Sequence, residues 1–253
     1  MKPPAVGRIL LWRGGSLWIG RGGAPTDFHS HHALQLTLAF PGSSYRLRRR
    51  GGQWAPYAAS IVAAQLVHSF DARGQYVATI FIEPESTWGQ LSQHRYRDTG
   101  IAALPSDMFV AEANALATAY AARTTDAELI GLARAAIARL CGEQAKPGTA
   151  LDPRIERAIA RVRSHLDRVV PLREVAASVH LSPERFRHLF LAQTGVRYRT
   201  YVLWLRLEVA LASYVQGHSL THAAQAGGFA DSAHLSRTFK KMFGITAASV
   251  LTE

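Results

Sequence analysis

The chain contains a single cysteine, Cys141, which excludes an intrachain disulfide and any multi-thiolate zinc site, so a bound metal would have to use histidine, carboxylate or amide ligands. No uninterrupted apolar run approaches the ~20 residues that cross a bilayer. The opening residues, MKPPAV, have neither the charged start nor the apolar stretch of a secretory signal, so the expectation is a cytoplasmic protein without a membrane partner. Lysine is scarce, present only as Lys2, Lys146, Lys240 and Lys241. Acidic residues are also few: 18 stand against 29 basic ones, a formal charge of +11. The excess is almost wholly arginine, whose planar guanidinium pairs bidentately with phosphate and guanine edges, and this points to a polyanion. With 253 residues and 48% apolar content, the chain is neither disordered nor low-complexity and can bury a core in two ordinary domains.

From Ile9 to about Ile82 short strand-like runs alternate with glycine-rich turns. Leu10–Trp12 and Leu17–Ile19 flank Arg13–Ser16, Leu34–Phe40 runs into Pro41–Ser44, and Arg46–Arg50 ends at Gly51-Gly52. Such strands suit a sandwich or barrel. After Pro84 the period changes, and Phe109–Ala122 and Asp126–Gly142 read as two amphipathic helices. Residues 144–151 have linker composition, which sets domain boundaries of 1–143 and 152–253.

Beyond the linker the pattern is helical throughout. Leu172–Gln193 and Leu220–Phe243 share one plan: a short helix, a tight turn and a longer helix. Phe186, Leu189 and Phe190 correspond to Leu235, Thr238 and Phe239, each 49 residues later. This is a duplicated helix-turn-helix, in which a second helix with buried apolar anchors presents polar residues to the major groove. A helix over about Tyr198–Gln216 joins the units. Its roughly 18 residues span some 27 Å, close enough to one duplex turn of about 34 Å for two successive grooves to be read.

The run Leu181-Ser182-Pro183-Glu184-Arg185-Phe186-Arg187-His188-Leu189-Phe190, with Thr194-Gly195, Gly228–Ser232 and Arg237–Gly244, closely resembles the C-terminal signature of AraC-type bacterial transcription regulators over about 100 residues. Tyr198 and Ala247 depart from it, standing where the family usually has proline. The resemblance implies base contacts by Glu184, Arg187 and His188 in the first unit and by Ser232, Ala233, Ser236 and Arg237 in the second. Arg187 and Arg237 suit guanine, Glu184 a cytosine amino group and Ala233 a thymine methyl. Arg185, Lys240 and Lys241 suit phosphates, and Arg206 suits a structural ion pair.

In the front half, Gly23, His29-x-His31, Gln35 and Gly42 are spaced like the first motif of cupin barrels, with Gln35 at the glutamate position and His68 as the second-motif histidine. Sensor domains of AraC-type regulators are cupin-like. The implied fold is therefore two-domain α+β: an N-terminal cupin-like β-barrel followed by two helices, then an all-α, seven-helix double helix-turn-helix domain. His29, His31 and His68 are expected to face inward and His32 outward. With Gln35 they hold a divalent metal, hydrogen-bond an organic effector, or simply bond one another in a metal-free pocket, and no cofactor is required. The Arg46, Arg48, Arg49 and Arg50 cluster reads as a solvated hairpin tip. The implied function is a ligand-responsive, sequence-specific DNA-binding regulator, an activator rather than an enzyme. Its expected partners are double-stranded DNA, a small-molecule effector, RNA polymerase and a second copy as homodimer. The rival readings are a cupin metalloenzyme using His29, His31 and His68, and a nonspecific DNA-packaging protein.

Overall fold

The computed structural model describes residues 5–96, 98–105, 107–142, 151–166 and 168–252. The expected linker lies outside the described residues except for Leu151. The chain forms two compact units, one of Met1–Gly148 together with Lys240–Glu253, the other of Thr149–Phe239.

The first unit opens with β1 (Ala5–Trp12) and β2 (Gly15–Arg21), joined by a two-residue turn in which Gly14 takes φ 98°. Next come β3 (Leu34–Ala39), β4 (Tyr45–Arg49), β5 (Ala55–Tyr57), β6 (Ala59–Val62), β7 (His68–Asp71) and β8 (Tyr76–Ile82). Then follow α1 (Thr87–Tyr96), β9 (Ile101–Ala103), α2 (Val110–Ala121) and α3 (Asp126–Cys141). Close to the end of the chain, a 3-10 turn at Ala247–Ser249 leads into β10 (Val250–Thr252).

The expected closed barrel is not what forms. Seven strands make an open sheet in the order β10-β1-β2-β8-β3-β6-β9, and a separate three-stranded sheet has the order β5-β4-β7. Closure needs one continuous ladder with a consistent stagger. Here β1 spends its outer edge on β10, pairing in parallel as Ala5↔Val250, and the other edge is the three-residue β9. Among the described residues strand β4 pairs with β5 and β7, and these three strands form a sheet separate from the larger one.

All six residues of β3 are buried, and their alternation positions the site. Leu34, Leu36 and Leu38 join Leu116, Leu129, Ala133, Ile137 and Leu140 in one core, so the apolar stripes of α2 and α3 pack on the sheet. Gln35 and Thr37 face the other way, into a polar interior containing His31, His68 and Thr79.

The second unit contains α4 (Pro153–Arg163), α5 (Leu172–Ser178), α6 (Pro183–Thr194), α7 (Tyr198–Val215), α8 (Leu220–Ala226) and most of α9 (Ser232–Phe243). Among the described residues these are six α-helices, where seven were expected. Residues 247–249 make only one 3-10 turn, after which the chain extends to pair with β1. Helix starts follow local chemistry. Asp152 accepts from the Arg154 amide with Pro153 at the first helical position, and Ser182 caps α6 in the same way, accepting from the Arg185 amide ahead of Pro183.

Candidate functional site

Helices α5–α6 and α8–α9 are built alike down to backbone hydrogen bonds. Two residues past each first helix stands a left-handed residue, His180 (φ 57°) and Gly228 (φ 67°). The next amide reaches back five residues, Leu181 N–H to the Ala176 carbonyl (3.0 Å) and Phe229 N–H to the Ala224 carbonyl (2.8 Å). This is the 6→1 closure that stops a helix and turns the chain sharply. In the first unit of the repeat, Phe186 and Phe190 are wholly buried, and Phe190 meets Tyr198 and Tyr201 edge-on at 5.6 and 5.3 Å. In the second, Leu235, Thr238 and Phe239 are buried in the corresponding places. Anchored inward, the helices present their other faces outward.

On α6, Glu184, Arg185, Arg187 and His188 are all exposed. Glu184 accepts from Arg187 Nη1 at 2.5 Å and pairs with His188 Nε2 at 2.9 Å, so three of the expected base-contacting side chains form one cluster. On α9, Ala233 and Arg237 are exposed, while Ser232 and Ser236 are half-buried. Lys241 is exposed, and the Lys240 ammonium lies 3.1 Å from the Asp27 carboxylate. Arg206 donates to the carbonyl of Arg168 at 3.2 Å, a structural role, though with a backbone acceptor instead of the expected carboxylate.

In the first unit, His29 and His68 exchange both backbone hydrogen bonds at 3.0 Å as an isolated antiparallel bridge, and this brings the three expected histidines together. Their ring centroids lie 4.4 Å (His29–His68), 5.2 Å (His31–His68) and 5.7 Å (His29–His31) apart. Burial drives His29 down to about 4, against the raising effect of its hydrogen bond to the Asp27 carbonyl. Burial likewise drives His31 to about 3, helped by the neighbouring His29, and takes His68 well below its ordinary value. All three are neutral imidazoles near neutral pH, the form that ligates metals. The cluster is of a kind that can hold a metal ion.

His32 does not point outward. It is buried and its Nε2 meets Glu85 Oε2 at 2.7 Å, because regular strand begins only at Leu34 and strand alternation does not govern residues 29–33. The arginine cluster is also more engaged than a solvated tip. Arg46 pairs with Asp71 at 2.5 Å, Arg48 lies over Trp54 and Phe28 at 4.5 and 4.9 Å, and Arg49 donates to the Thr99 carbonyl.

A cavity of about 670 Å³ lies beside the histidines in the first unit. His29, Gln35 and Thr79 form part of its wall, Trp18, Ile19 and Phe81 another, and Phe243, Ile245 and Val250 a third. Phe243 packs against Trp18 and Phe81 with centroids 4.7 and 5.6 Å apart. Sequence reasoning misses this wall, because no local pattern reports that residues near 245 return to strands near 18 and 81.

Residues 175–253 match a family model described as a helix-turn-helix domain. Among curated proteins, the chain is 36% identical over 98 residues to the uncharacterized HTH-type transcriptional regulator YidL of Escherichia coli K12, covering 38% of this chain and 33% of that one. It is 27% identical over 86 residues to LumQ, a probable transcriptional regulator of Photobacterium leiognathi, covering 34% of this chain and 35% of that one. The matched stretch thus spans about a third of these relatives. ToxT from Vibrio cholerae O395 superposes over 92% of this chain and 95% of its own at a TM-score of 0.60, with 12% identity. The fold resembles that of ToxT over both units, and the matched stretch is a helix-turn-helix domain. Among the described residues no helix is long and apolar enough to cross a membrane.

Proposed function

We propose that this chain is a sequence-specific DNA-binding transcription regulator whose first unit binds a small-molecule effector. The observation that carries the reading is the repeated helix–turn–helix geometry. Its two second helices bury equivalent anchors and present Glu184, Arg187 and His188 on one and Ala233 and Arg237 on the other. Helix α7, 18 residues or about 27 Å long, joins them. Arg187 and Arg237 read guanine edges, Glu184 a cytosine amino group and Ala233 a thymine methyl. Ser232, Ser236 and His188 complete the two reading faces, while Arg185, Lys240 and Lys241 hold phosphates and fix register.

The cavity is the effector site. Its lining is chiefly apolar, with Arg8, Asp27, His29, Gln35 and Lys240 among the polar contacts, the composition of a small-molecule pocket. An effector acts by favouring one of two arrangements of the protein, which it does only through unequal affinity for them. We read the outcome as activation through contact with RNA polymerase. A homodimer built on α2 and α3 would have to use their polar outer faces, because their apolar stripes are consumed by the sheet.

The test is genome-wide binding of the tagged chain followed by competition binding on the recovered sites. The reading requires a shared motif with two half-sites about one helical turn apart. Binding that is indifferent to sequence would replace it with a packaging role.

A further inference from the structure

Between residues 28 and 82 the sequence has five arginines, no lysine and a single carboxylate, Asp71. Three of the five, Arg46, Arg48 and Arg50, alternate along β4 and just past its end, so strand geometry sends them to one face. Two aromatic rings join them there. The Trp54 ring has the Arg46 and Arg48 guanidiniums over it at 5.5 and 4.5 Å, and the Phe28 ring has those of Arg48 and Arg50 at 4.9 and 5.3 Å. Guanidinium and ring therefore follow one another in an unbroken series: Arg46, Trp54, Arg48, Phe28, Arg50. A guanidinium laid on a ring gives up a flat face and keeps its edge, where the N–H donors lie.

The charge in this series is scarcely balanced. Asp71 pairs with Arg46 at 2.5 Å and stands 3.8 Å from Arg73. Among the described residues no carboxylate pairs with Arg48, Arg49 or Arg50, and the Arg48 Nε–H is buried without a hydrogen-bond partner. Like charges set side by side on a sheet weaken it, so hairpin stability alone does not account for the crowding. A row of anions does. The strand holds Arg46 and Arg48 about 6.8 Å apart, comparable to the step between successive phosphates on a nucleic-acid strand. The rings decide among polyanions. With two guanidiniums on each and both residues half-buried, Trp54 and Phe28 have little face left to stack a base or enter a lipid surface. Duplex DNA asks for neither, because its outer surface is phosphate.

We propose that the arginine and aromatic face of the β4–β5 hairpin is a second DNA-contacting surface, which grips the phosphates of a duplex without reading its sequence. Arg48 and Arg50 are its principal donors, and the two rings hold their guanidiniums edge-outward. The inference rests on the regulator reading for its partner: a duplex held by the second unit is presented to the hairpin of the same chain at high effective concentration, so a weak grip suffices. Such a contact raises affinity for every sequence alike and leaves discrimination to the helices.

The experiment measures binding of the full chain to a random-sequence duplex over a salt series, because the proposed contact needs no motif. Arg48→Gln and Arg50→Gln should each lower the salt exponent by about one and weaken binding by about fivefold at about 0.15 M salt, whereas Arg50→Lys should keep both close to the parent. Benzoylphenylalanine in place of the exposed Gln53 should cross-link to the duplex on irradiation. Circular dichroism verifies that each variant folds, and Arg50→Gln, exposed at the end of the series, decides the matter if Arg48→Gln does not. An unchanged exponent in Arg50→Gln, an absent cross-link, or a parent chain that leaves the duplex unbound at low salt would each overturn the surface. So would binding to phosphatidylserine vesicles that falls in these variants while DNA binding does not, which would assign the face to a lipid headgroup. A parent that binds every sequence equally would overturn the regulator reading, while the exponent of Arg50→Gln would still decide the hairpin.

Discussion

Glu184 grips Arg187 and His188 simultaneously, at 2.5 and 2.9 Å, on the outward face of α6. A reader built this way must exchange an internal pair for a base edge when it meets DNA. Because the Glu184 and Arg187 side chains are 67% and 55% exposed, that exchange is cheap. Glu184→Ala is expected to raise general DNA affinity, since a negative charge leaves the phosphate-facing surface, and to relax discrimination. Arg187→Ala should cost about 1–3 kcal/mol at one base pair and little elsewhere. Competition against a panel of singly substituted duplexes measures both. A uniform loss across the panel in Arg187→Ala would remove it from the base-reading set.

Arg237 and Lys241 should separate along the same line. Arg237→Ala is expected to lose discrimination at one position by about 1–3 kcal/mol, whereas Lys241→Ala should weaken all sequences alike and lower the salt dependence by about one counterion. Affinity measured over a salt series on matched and mismatched duplexes distinguishes them. Identical behaviour of the two variants would contradict the assignment.

His180 and Gly228 occupy equivalent turns, yet only glycine adopts a left-handed conformation without strain. His180→Gly is expected to stabilise the second unit by up to about 1 kcal/mol, and Gly228→Ala to destabilise it by at least as much. Gly227→Ala should be worse. Its φ is an ordinary −81°, but an added Cβ would stand 2.6 Å from the Arg206 carbonyl and 2.8 Å from Ala210 Cβ on α7. Urea unfolding followed by circular dichroism ranks the three. A stabilised Gly228→Ala would refute the turn geometry.

The histidine cluster makes stability depend on pH. An unfolded chain takes up protons near 6.5, whereas burial keeps His29 neutral down to about 4 and His31 down to about 3. Between those values the unfolded state binds more protons, so acid favours unfolding. The contribution is intact above pH 6.5 and drains away as pH falls towards 4 and then 3. In chelator-treated protein the unfolding midpoint should drop as pH is lowered from about 7 to about 5, and His31→Gln should flatten that slope. A midpoint that holds steady through this interval in the unaltered chain would contradict the buried, neutral cluster.

Local chemistry made the second unit legible. Phe186 and Phe190, like Leu235 and Phe239, stand four residues apart, and Asp152-Pro153 and Ser182-Pro183 mark helix starts that the structure places at those residues. The meeting of His29, His31 and His68 was also readable, since it needs only two short segments to adjoin. Other features depend on contacts remote in the chain. Strand β1 begins at Ala5, not Leu10, because its first four residues are half-buried and show no alternation. Helix α1 escaped notice because it is largely polar, and Gly89 brings it against the Glu83 carbonyl at a distance no other residue would allow. The open sheet was misread as a closed barrel because strand number and spacing do not report which edges remain unjoined.

The parallel pairing of β1 with β10 means that, during synthesis, β1 waits for a partner some 240 residues further along the chain. Until residues 250–252 emerge, the outer edge of β1 has bare peptide groups, and an exposed edge invites pairing with another copy. The first unit is therefore not a detachable module. A fragment ending at residue 142 would lack both an edge strand and a wall of its cavity, and ligand measurements on it would describe a different molecule.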